Sequence, residues 1–391
     1  MYRGMYTYAW DLAEEGVAAV AGRLADAGLN AVTLATSYHA GKFLRPHAPR
    51  RKVYFPEDGT VYFQPDMARY GRIKPRVNSM VAGFDALAEL ERAAPALDRV
   101  GWTVCLHNTP LGQAHPDLVA RNAFGDPYIF SLCPSQPAAR EYVVALCADM
   151  GANYSLKALA LETPGWLPFA HGYHHEFQLV EMNPWVEAML GLCFCDACRE
   201  GARGQNFDFE RLRLKVRADV ERFLAADIAP AAEVAAAWWT ADIATDPEWA
   251  AFLAWRCGVV AGLVREVRAA LNPAVELRIV PTVQSPNALC WSEGSDLALL
   301  AAEADVLEVP AYQTGVAAIA ADAWDVRRRV GDAARLNFIL RPSYPNLRDA
   351  NALSGAVGAL RALSAEGFGF YNYGHVRLQS LDWIRTALTG H

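Results

Sequence analysis

The chain has 391 residues, of which 53% are hydrophobic and 20% are charged, with a formal net charge of -7. This composition is typical of a globular protein with a large core, and it lacks the excess of basic residues that nucleic-acid binding requires. The first residues do not resemble a signal peptide, and no segment is long and apolar enough to span a bilayer. We therefore expect a cytoplasmic protein that binds neither nucleic acid nor membranes.

Short apolar segments alternate with segments of helical periodicity, a pattern that indicates a parallel sheet with crossover helices. Eight segments are strand candidates, the number that a (β/α)₈ TIM barrel requires. The candidates are residues 5–10, 30–37, 103–107, 158–162, 275–283, 305–309, 336–341 and 367–373. We predict an α/β fold in which residues 1–391 form a single barrel domain.

Two features extend this barrel. Residues 41–78 predict a long loop over the mouth of the barrel, with a hairpin within residues 52–63. Residues 166–271 predict an enlarged connection after the fourth strand, which contains a cysteine-rich motif and several helices. Exposure of Trp238 and Trp239 in this connection would indicate a homo-oligomer.

The segment Ala158–Glu162 reads ALALE and is followed by Thr-Pro-Gly, so a buried strand ends in a carboxylate. Active sites of TIM barrels lie at the carboxyl ends of the strands, and a charge there is costly unless it is paired or used. Glu308 ends the sixth strand in the same way. Two carboxylates across one cleft are the arrangement that glycoside hydrolysis needs. The alternative is that either glutamate forms a structural ion pair with Arg341 or another arginine.

Polar and aromatic side chains near the predicted mouth are candidates for binding a small carbohydrate, because rings cover sugar C–H surfaces and polar groups bind hydroxyls. These residues are Trp10, His39, His107, Asn108, Trp166, His174, His175, Gln284, Tyr312, Arg341, Tyr344 and Tyr373. The histidine-rich segment 171–176 could instead hold a metal ion, although its spacing does not match a helical HExxH motif. We favour the substrate-binding interpretation.

A cluster of three cysteines, Cys193, Cys195 and Cys198, lies within the connection. Three thiols so close in sequence cannot all pair with one another, whereas their spacing suits a tetrahedral thiolate site. Cys133 is the best candidate for the fourth ligand. We predict a structural Cys₄ zinc site, with free buried thiols as the alternative. Nucleotide-binding and nucleophile-elbow motifs are absent from the sequence, so we expect no organic cofactor.

The order of Cys133-Pro-Ser-Gln-Pro, a fourth-strand glutamate and a CxCxxC cluster resembles the zinc-containing β-galactosidases of glycoside hydrolase family 42. It also resembles the hypothetical glycosyl-hydrolase-like barrels related to them. This resemblance implies that the four cysteines bind zinc and that Glu162 is the acid/base. The chain differs in having Leu161 where that family has Asn, and Arg341 rather than an acid after the seventh strand. A fourth-strand and sixth-strand pair is instead similar to α-galactosidase and α-glucosidase barrels, where the fourth-strand acid is the nucleophile.

The sequence therefore predicts an enzyme, a glycoside hydrolase that cleaves a small oligosaccharide or glycoside with Glu162 and Glu308. Whether Glu162 is the acid/base or the nucleophile, and whether the reaction retains or inverts configuration, stays open at this level. One alternative is a sugar isomerase, epimerase or lyase on the same barrel. Another is a non-catalytic carbohydrate-binding barrel.

Overall fold

A computed structural model describes residues 1–171, 173 and 175–390. Eight parallel strands form a closed barrel, because the first strand pairs with both the second and the eighth. The strands are Tyr2–Thr7, Ala31–Tyr38, Asp98–Val104, Ala158–Glu162, Glu276–Ile279, Val306–Ala311, Leu336–Leu340 and Gly367–Phe370. The predicted (β/α)₈ fold is thereby confirmed.

Strands of this barrel are buried on both faces, which explains their continuous apolar sequences. All eight residues of Ala31–Tyr38 are buried, for example. The first strand begins earlier than predicted, and a helix begins at Ala9, where the backbone N–H of Tyr8 donates to the Asp11 carboxylate at 3.4 Å. The third strand also begins earlier, at Asp98, whose N–H donates to the carbonyl of Asn30.

Helices cover the barrel and fill the long connection. Those around the barrel are Ala9–Glu15, Val17–Asp26, Ala86–Ala93, Thr109–Ala114, Pro137–Asn153, Leu297–Glu303, Val316–Val330, Ala350–Ala362 and Gln379–Thr389. Those in the connection are Pro184–Gly191, Asp196–Gly201, Phe209–Ala225, Ala232–Thr245 and Pro247–Ala270. Short 3₁₀ helices span Met67–Arg69, Ser79–Ala82 and Asn287–Glu293.

The connection packs into the same hydrophobic core as the barrel. Its longest helix, Pro247–Ala270, begins with a proline in the first turn after Asp246, whose carboxylate accepts the N–H of Glu248 and thereby caps the helix. Trp239 is buried there and Trp238 packs edge-on against Trp185. The two tryptophans therefore belong to the packing of the connection. No described helix is both long and apolar enough to cross a membrane.

The short strands in the loop over the mouth pair with other segments than predicted. Val53–Tyr54 pairs back with Phe43–Leu44, whereas Thr60–Val61 pairs antiparallel with the second barrel strand, so the described residues form no hairpin within 52–63. The buried Arg45 determines this path, since its guanidinium makes ion pairs with Asp11 at 2.9 Å and with Glu14 at 2.7 Å in the first helix. These ion pairs place the loop beside the barrel mouth.

Candidate active site

Glu162 is the last residue of the fourth strand and lies partly buried at the barrel mouth. Its Oε2 atom accepts a hydrogen bond from the indole Nε1 of Trp102 at 2.5 Å. Burial raises the pKa of Glu162 to about 7, while the Trp102 hydrogen bond and the charge of Arg341 act in the opposite direction. A carboxyl group with this pKa is protonated in a large fraction of molecules at neutral pH, which suits a general acid.

The backbone turns sharply directly after Glu162. Thr163 has a φ of 52°, in the left-handed region that β-branched residues rarely adopt. The carbonyl groups of Glu162 and Thr163 still accept hydrogen bonds from Cys105 at 2.9 Å and from Leu106 at 3.3 Å. Strained backbone of this kind concentrates at functional sites, and here it orients the glutamate at the strand end.

Three tyrosine hydroxyls form a hydrogen-bonded group beside Glu162. The hydroxyl of Tyr8 donates to that of Tyr38 at 3.0 Å, and the Tyr8 and Tyr371 hydroxyl oxygens are also 3.0 Å apart. Burial raises the pKa of Tyr38 and of Tyr371, and the Glu162 charge acts in the same direction on both. The hydroxyls therefore remain protonated and can serve as hydrogen-bond donors in the site.

Arg341 follows the seventh strand and contributes positive charge to the same region. Its guanidinium carbon lies 3.6 Å from the ring centroid of Tyr312 and 5.2 Å from that of Tyr371. The two rings hold the guanidinium by cation–π contacts. Arg341 favours the ionised form of Glu162, because its charge lowers the pKa of that carboxyl group.

Histidine rings form a row at the ends of the second and third strands. His39 stacks on Tyr38 with centroids 4.3 Å apart and on His107 at 4.1 Å, and His107 meets His171 edge-on at 5.6 Å. Burial lowers the pKa of His171, so its ring is predominantly uncharged near neutral pH. The structure therefore brings two of the predicted substrate-binding histidines together, at the strand end next to Glu162.

Glu293 was not identified from the sequence. It ends the short helix Asn287–Glu293 and is 3% exposed; its Oε1 accepts hydrogen bonds from the Thr282 hydroxyl and, at 3.0 Å, from the Val283 N–H. Burial raises the pKa of Glu293 to about 8, and the Glu162 charge adds to the increase. Glu293 thus holds the loop after the fifth strand and lies within electrostatic range of Glu162.

Glu308 is placed differently from Glu162. It is fully buried in the sixth strand, where Oε1 pairs with the Arg278 guanidinium at 2.6 Å and Oε2 accepts the Tyr6 hydroxyl at 2.5 Å. Asn337 donates to the same Oε1 at 3.4 Å. The structure therefore places Glu308 in an ion pair inside the barrel, the alternative that the sequence had left open, although with Arg278 rather than Arg341.

Three of the predicted substrate-binding residues make contacts within the fold. Trp10 is buried in the first helix and stacks on Tyr8 at 4.2 Å. Asn108 accepts the Leu111 N–H at 3.0 Å and caps the helix Thr109–Ala114. The buried Tyr373 hydrogen-bonds through its hydroxyl to Glu15 at 2.8 Å.

Two further predicted residues, Tyr344 and His175, are exposed at the surface. Tyr344 is 76% exposed and carries the Arg348 guanidinium over its ring. His175 is exposed next to Phe177, and His174 lies outside the described residues.

Trp166 and Gln284 lie beside the mouth. Trp166 is buried, and its backbone N–H donates to the backbone carbonyl of Glu293 at 3.0 Å. Gln284 lines a cavity of about 310 Å³ together with Phe169, Trp239 and Trp291. This cavity lies between the loops after the fourth and fifth strands and the helices of the connection.

The four predicted metal-binding cysteines lie together, and all are buried. Their sulfur atoms lie within 4.8 Å of one another, and Cys133 Sγ is 3.5 Å from Cys198 Sγ, 3.6 Å from Cys195 Sγ and 3.9 Å from Cys193 Sγ. Four converging thiols form the donor set of a closed tetrahedral zinc site. The four thiols therefore fit zinc chemically. Because they would fill all four ligand positions of the ion, the ion would have a structural role.

No protein-family model matches this sequence, and no curated protein matches it. Similar folds occur in α-L-fucosidase isoenzyme 2 from Paenibacillus thiaminolyticus (TM-score 0.53, 12% identity, 99% of this chain and 48% of that chain). A second similar fold is the PgaB (BpsB) glycoside hydrolase domain from Bordetella bronchiseptica (TM-score 0.59, 13% identity, 98% of this chain and 98% of that chain). A third is the catalytic domain of β-amylase from Paenibacillus polymyxa (TM-score 0.58, 11% identity, 99% of this chain and 97% of that chain).

These comparisons establish the fold. The chain is a TIM barrel of the kind found in glycoside hydrolases, and it spans about half the length of the fucosidase. At identities of 11 to 13% the likeness carries no substrate or mechanism. The resemblance to family 42 stays a prediction.

The sequence prediction does not include two further residues of the site, Trp102 and Glu293. Trp102 alternates with Val104 along the third strand, but the predicted strand began after it. Glu293 stands before Gly294, whose φ of 77° ends a short helix, in a segment between predicted elements. Neither residue carried a motif, and only their contacts with the fourth-strand region distinguish them.

Proposed function

We propose that this protein is a glycoside hydrolase in which Glu162 is the general acid. The observation that supports the proposal is a carboxyl group at the fourth strand end with a pKa of about 7, held by Trp102 and adjoined by Arg341. Protonation of the leaving-group oxygen is the step that glycoside cleavage requires of such a group. The solved structures of similar fold include glycoside hydrolases, so this fold is one that accommodates the proposed reaction.

The residues around Glu162 have separable roles in this reaction. As the glycosidic bond breaks, the proton of Glu162 passes to the leaving oxygen and the carboxylate that remains is stabilised by Arg341 and by the indole N–H of Trp102. The hydroxyls of Tyr38 and Tyr371 and the histidine row offer hydrogen bonds to sugar hydroxyls. Aromatic rings at the same edge cover the apolar sugar face.

Glu308 does not serve as the second carboxyl group in this proposal, because its two oxygen atoms are occupied by Arg278 and Tyr6. The group that meets the anomeric carbon is then water or a neighbouring group of the substrate itself. In the first case the attacking water releases its proton to solvent, and Glu162 takes up a new proton from solvent before the next turnover. In the second case the substrate group bonds to the anomeric carbon as the leaving group departs, and the Glu162 carboxylate, having given up its proton, then removes a proton from the water that displaces this group. Aryl glycosides with and without a 2-acetamido group distinguish the two routes.

The test is hydrolysis of a panel of aryl glycosides by the wild type, Glu162→Gln and the surface variant Glu266→Gln. We expect Glu162→Gln to lower kcat/KM by about 10²-fold or more for poor leaving groups. The loss should be much smaller for dinitrophenyl leaving groups, which depart without a proton. Equal loss for both kinds of leaving group would instead assign Glu162 as the nucleophile, and normal turnover would contradict the proposal.

We also propose that Cys133, Cys193, Cys195 and Cys198 bind a structural zinc ion. The support is the convergence of four buried thiols, three of them from the connection and one from the segment before the helix Pro137–Asn153. A zinc ion there would fasten the connection to the barrel, because its ligands come from both. It would take no part in bond cleavage, since no ligand position is open to substrate.

A further inference from the structure

Arg341 lies directly after the seventh strand and is half-buried at the barrel mouth. Its Nε atom is buried, and among the described residues this atom has no hydrogen-bond partner. No described carboxylate forms an ion pair with the guanidinium either. Taking a guanidinium partly out of water without an anion beside it is costly.

Two tyrosine rings hold this guanidinium in place. Its central carbon lies 3.6 Å from the ring centroid of Tyr312 and 5.2 Å from that of Tyr371, and the two ring centroids are 6.0 Å apart. The side-chain amide of Asn346 holds the backbone of Tyr312, because it donates to the Tyr312 carbonyl. The planar guanidinium is therefore oriented before any ligand binds.

Two other arginines of the barrel show how this fold compensates such a charge. Arg45 pairs with two carboxylates, at 2.9 and 2.7 Å, and Arg278 pairs with two others, at 2.7 and 2.6 Å. Arg341 has the contacts with aromatic rings but no carboxylate among the residues that the structure describes. An anion from outside the chain would supply what Arg45 and Arg278 receive from the fold.

Arg341 and Glu162 lie against one group of aromatic side chains. The ring of Tyr371, which contacts the guanidinium, meets the Trp102 ring edge-on at 5.8 Å, and the Trp102 indole donates to Glu162 at 2.5 Å. The hydroxyl oxygen of Tyr371 is also 3.0 Å from that of Tyr8. A sugar whose glycosidic oxygen meets Glu162 would therefore have Arg341 beside another part of the same molecule.

The charge of the mouth favours a ligand group with a single negative charge. Burial lowers the pKa of His171 and of His375, so both rings are mostly uncharged near neutral pH. A phosphate monoester carries nearly two negative charges at that pH. The carboxylate of a sugar acid carries one, and its two oxygen atoms match the planar fork of an arginine.

We propose that Arg341 binds a carboxylate group of the substrate and that the preferred glycosides are those of uronic acids. This role rests on the proposed function, because it takes the ligand to be a glycoside whose leaving oxygen meets Glu162. The carboxylate is the anion that the fold does not supply to Arg341. Preference for the acid over the corresponding neutral sugar then depends on this one side chain.

The experiment measures binding without turnover. Glucuronate and galacturonate, with glucose and galactose as their neutral counterparts, are titrated calorimetrically into the full-length wild type, Arg341→Met and the control Arg348→Met. Arg348 is an exposed arginine whose guanidinium carbon lies 4.7 Å from the ring centroid of Tyr344, so it resembles Arg341 in its contact with a tyrosine. We expect the wild type to bind at least one uronate about 10-fold or more tightly than its neutral counterpart. Arg341→Met should lose this preference and Arg348→Met should keep it.

Each other outcome has a defined meaning. Equal binding of uronate and neutral sugar, no uronate binding to the wild type, or a preference that persists in Arg341→Met would overturn the role of Arg341. Tighter binding of glucose 6-phosphate or glucose 6-sulfate than of glucuronate would overturn the assignment to a carboxylate. If Arg341→Met is insoluble, Arg341→Gln provides the same neutral comparison, and a preference that persists in it would overturn the proposal.

Hydrolysis of aryl glycuronides is measured separately from binding. Uronate binding that depends on Arg341, without hydrolysis of any aryl glycoside, would support the carboxylate site and contradict the proposed function. Hydrolysis of neutral aryl glycosides without any uronate preference would support the proposed function and overturn the role of Arg341. The two proposals can therefore fail independently.

Discussion

The indole Nε1 of Trp102 lies 2.5 Å from Oε2 of Glu162, one strand away in the barrel. This hydrogen bond favours the ionised carboxylate and so opposes the effect of burial on the pKa of Glu162. Trp102 is itself buried by Tyr6 and Tyr371, whose rings meet it edge-on at 5.2 and 5.8 Å. The donor is therefore held in place before any substrate binds.

Trp102→Phe removes this donor and should raise the pKa of Glu162 further. General-acid activity needs the protonated form, so kcat/KM of the wild type should fall as pH rises through about 7. In Trp102→Phe this decrease should move upward by about one pH unit. The measurement is the pH profile of kcat/KM, with Trp383→Phe as the control. An unshifted profile would show that the hydrogen bond does not set the pKa.

Glu162→Gln should make the protein more stable at alkaline pH. Burial raises the pKa of folded Glu162 from 4.5 to about 7, so between these values the folded chain keeps a proton that the unfolded chain releases. The stability contributed by Glu162 is therefore complete below about pH 4.5 and decreases as pH rises to about 7. Glutamine has no such dependence.

The expected gain for Glu162→Gln is on the order of 3 kcal/mol in the free energy of unfolding at pH 8, relative to pH 4.5. Urea denaturation of both proteins at the two pH values measures it. Glu266→Gln, at the surface, should follow the wild type. Parallel stability profiles for the wild type and Glu162→Gln would contradict the elevated pKa.

Glu308→Gln should affect stability more than catalysis. It removes the buried carboxylate that pairs with Arg278 Nη1 and leaves this guanidinium with Glu276 as its one carboxylate partner, so we expect a cost of about 3 kcal/mol. The double variant Glu308→Gln with Arg278→Met should recover part of that loss, because the under-compensated buried charge is gone. Thermal denaturation of the three proteins checks this order. A fully stable Glu308→Gln that has lost activity would instead restore Glu308 to the catalytic pair.

Cys133→Ala should abolish zinc binding, whereas Cys147→Ala should not. Both thiols are buried on or near the same helix, but only Cys133 belongs to the cluster. We expect metal analysis to show loss of zinc from Cys133→Ala alone. Its melting temperature should also become insensitive to chelators, unlike that of the wild type. Equal zinc in both variants would exclude Cys133 as a ligand.

The number and order of the strands were predictable from the sequence because buried parallel strands are continuous apolar runs. The strand ends were less predictable. The first and third strands begin before the predicted limits because their backbone pairing extends past the apolar runs; the N–H of Asp98, for example, donates to the carbonyl of Asn30. The position of Glu162 followed from its strand and the Thr-Pro-Gly that ends it. The association of Cys133 with the later cysteines was also predictable, since Cys133 precedes the helix that leads into the fourth strand and Cys193 follows that strand.

The sequence by itself determined the barrel, the fourth-strand glutamate and the four converging thiols, because each depends on local pattern or on strand order. Tertiary structure alone decided that Glu308 meets Arg278 inside the barrel while Glu162 meets Trp102 at the mouth. Alternation along a strand indicates only that a side chain points inward. The position of that side chain along the barrel axis depends on the tilt of the strand and on its register with neighbouring strands, and no single segment of sequence determines these.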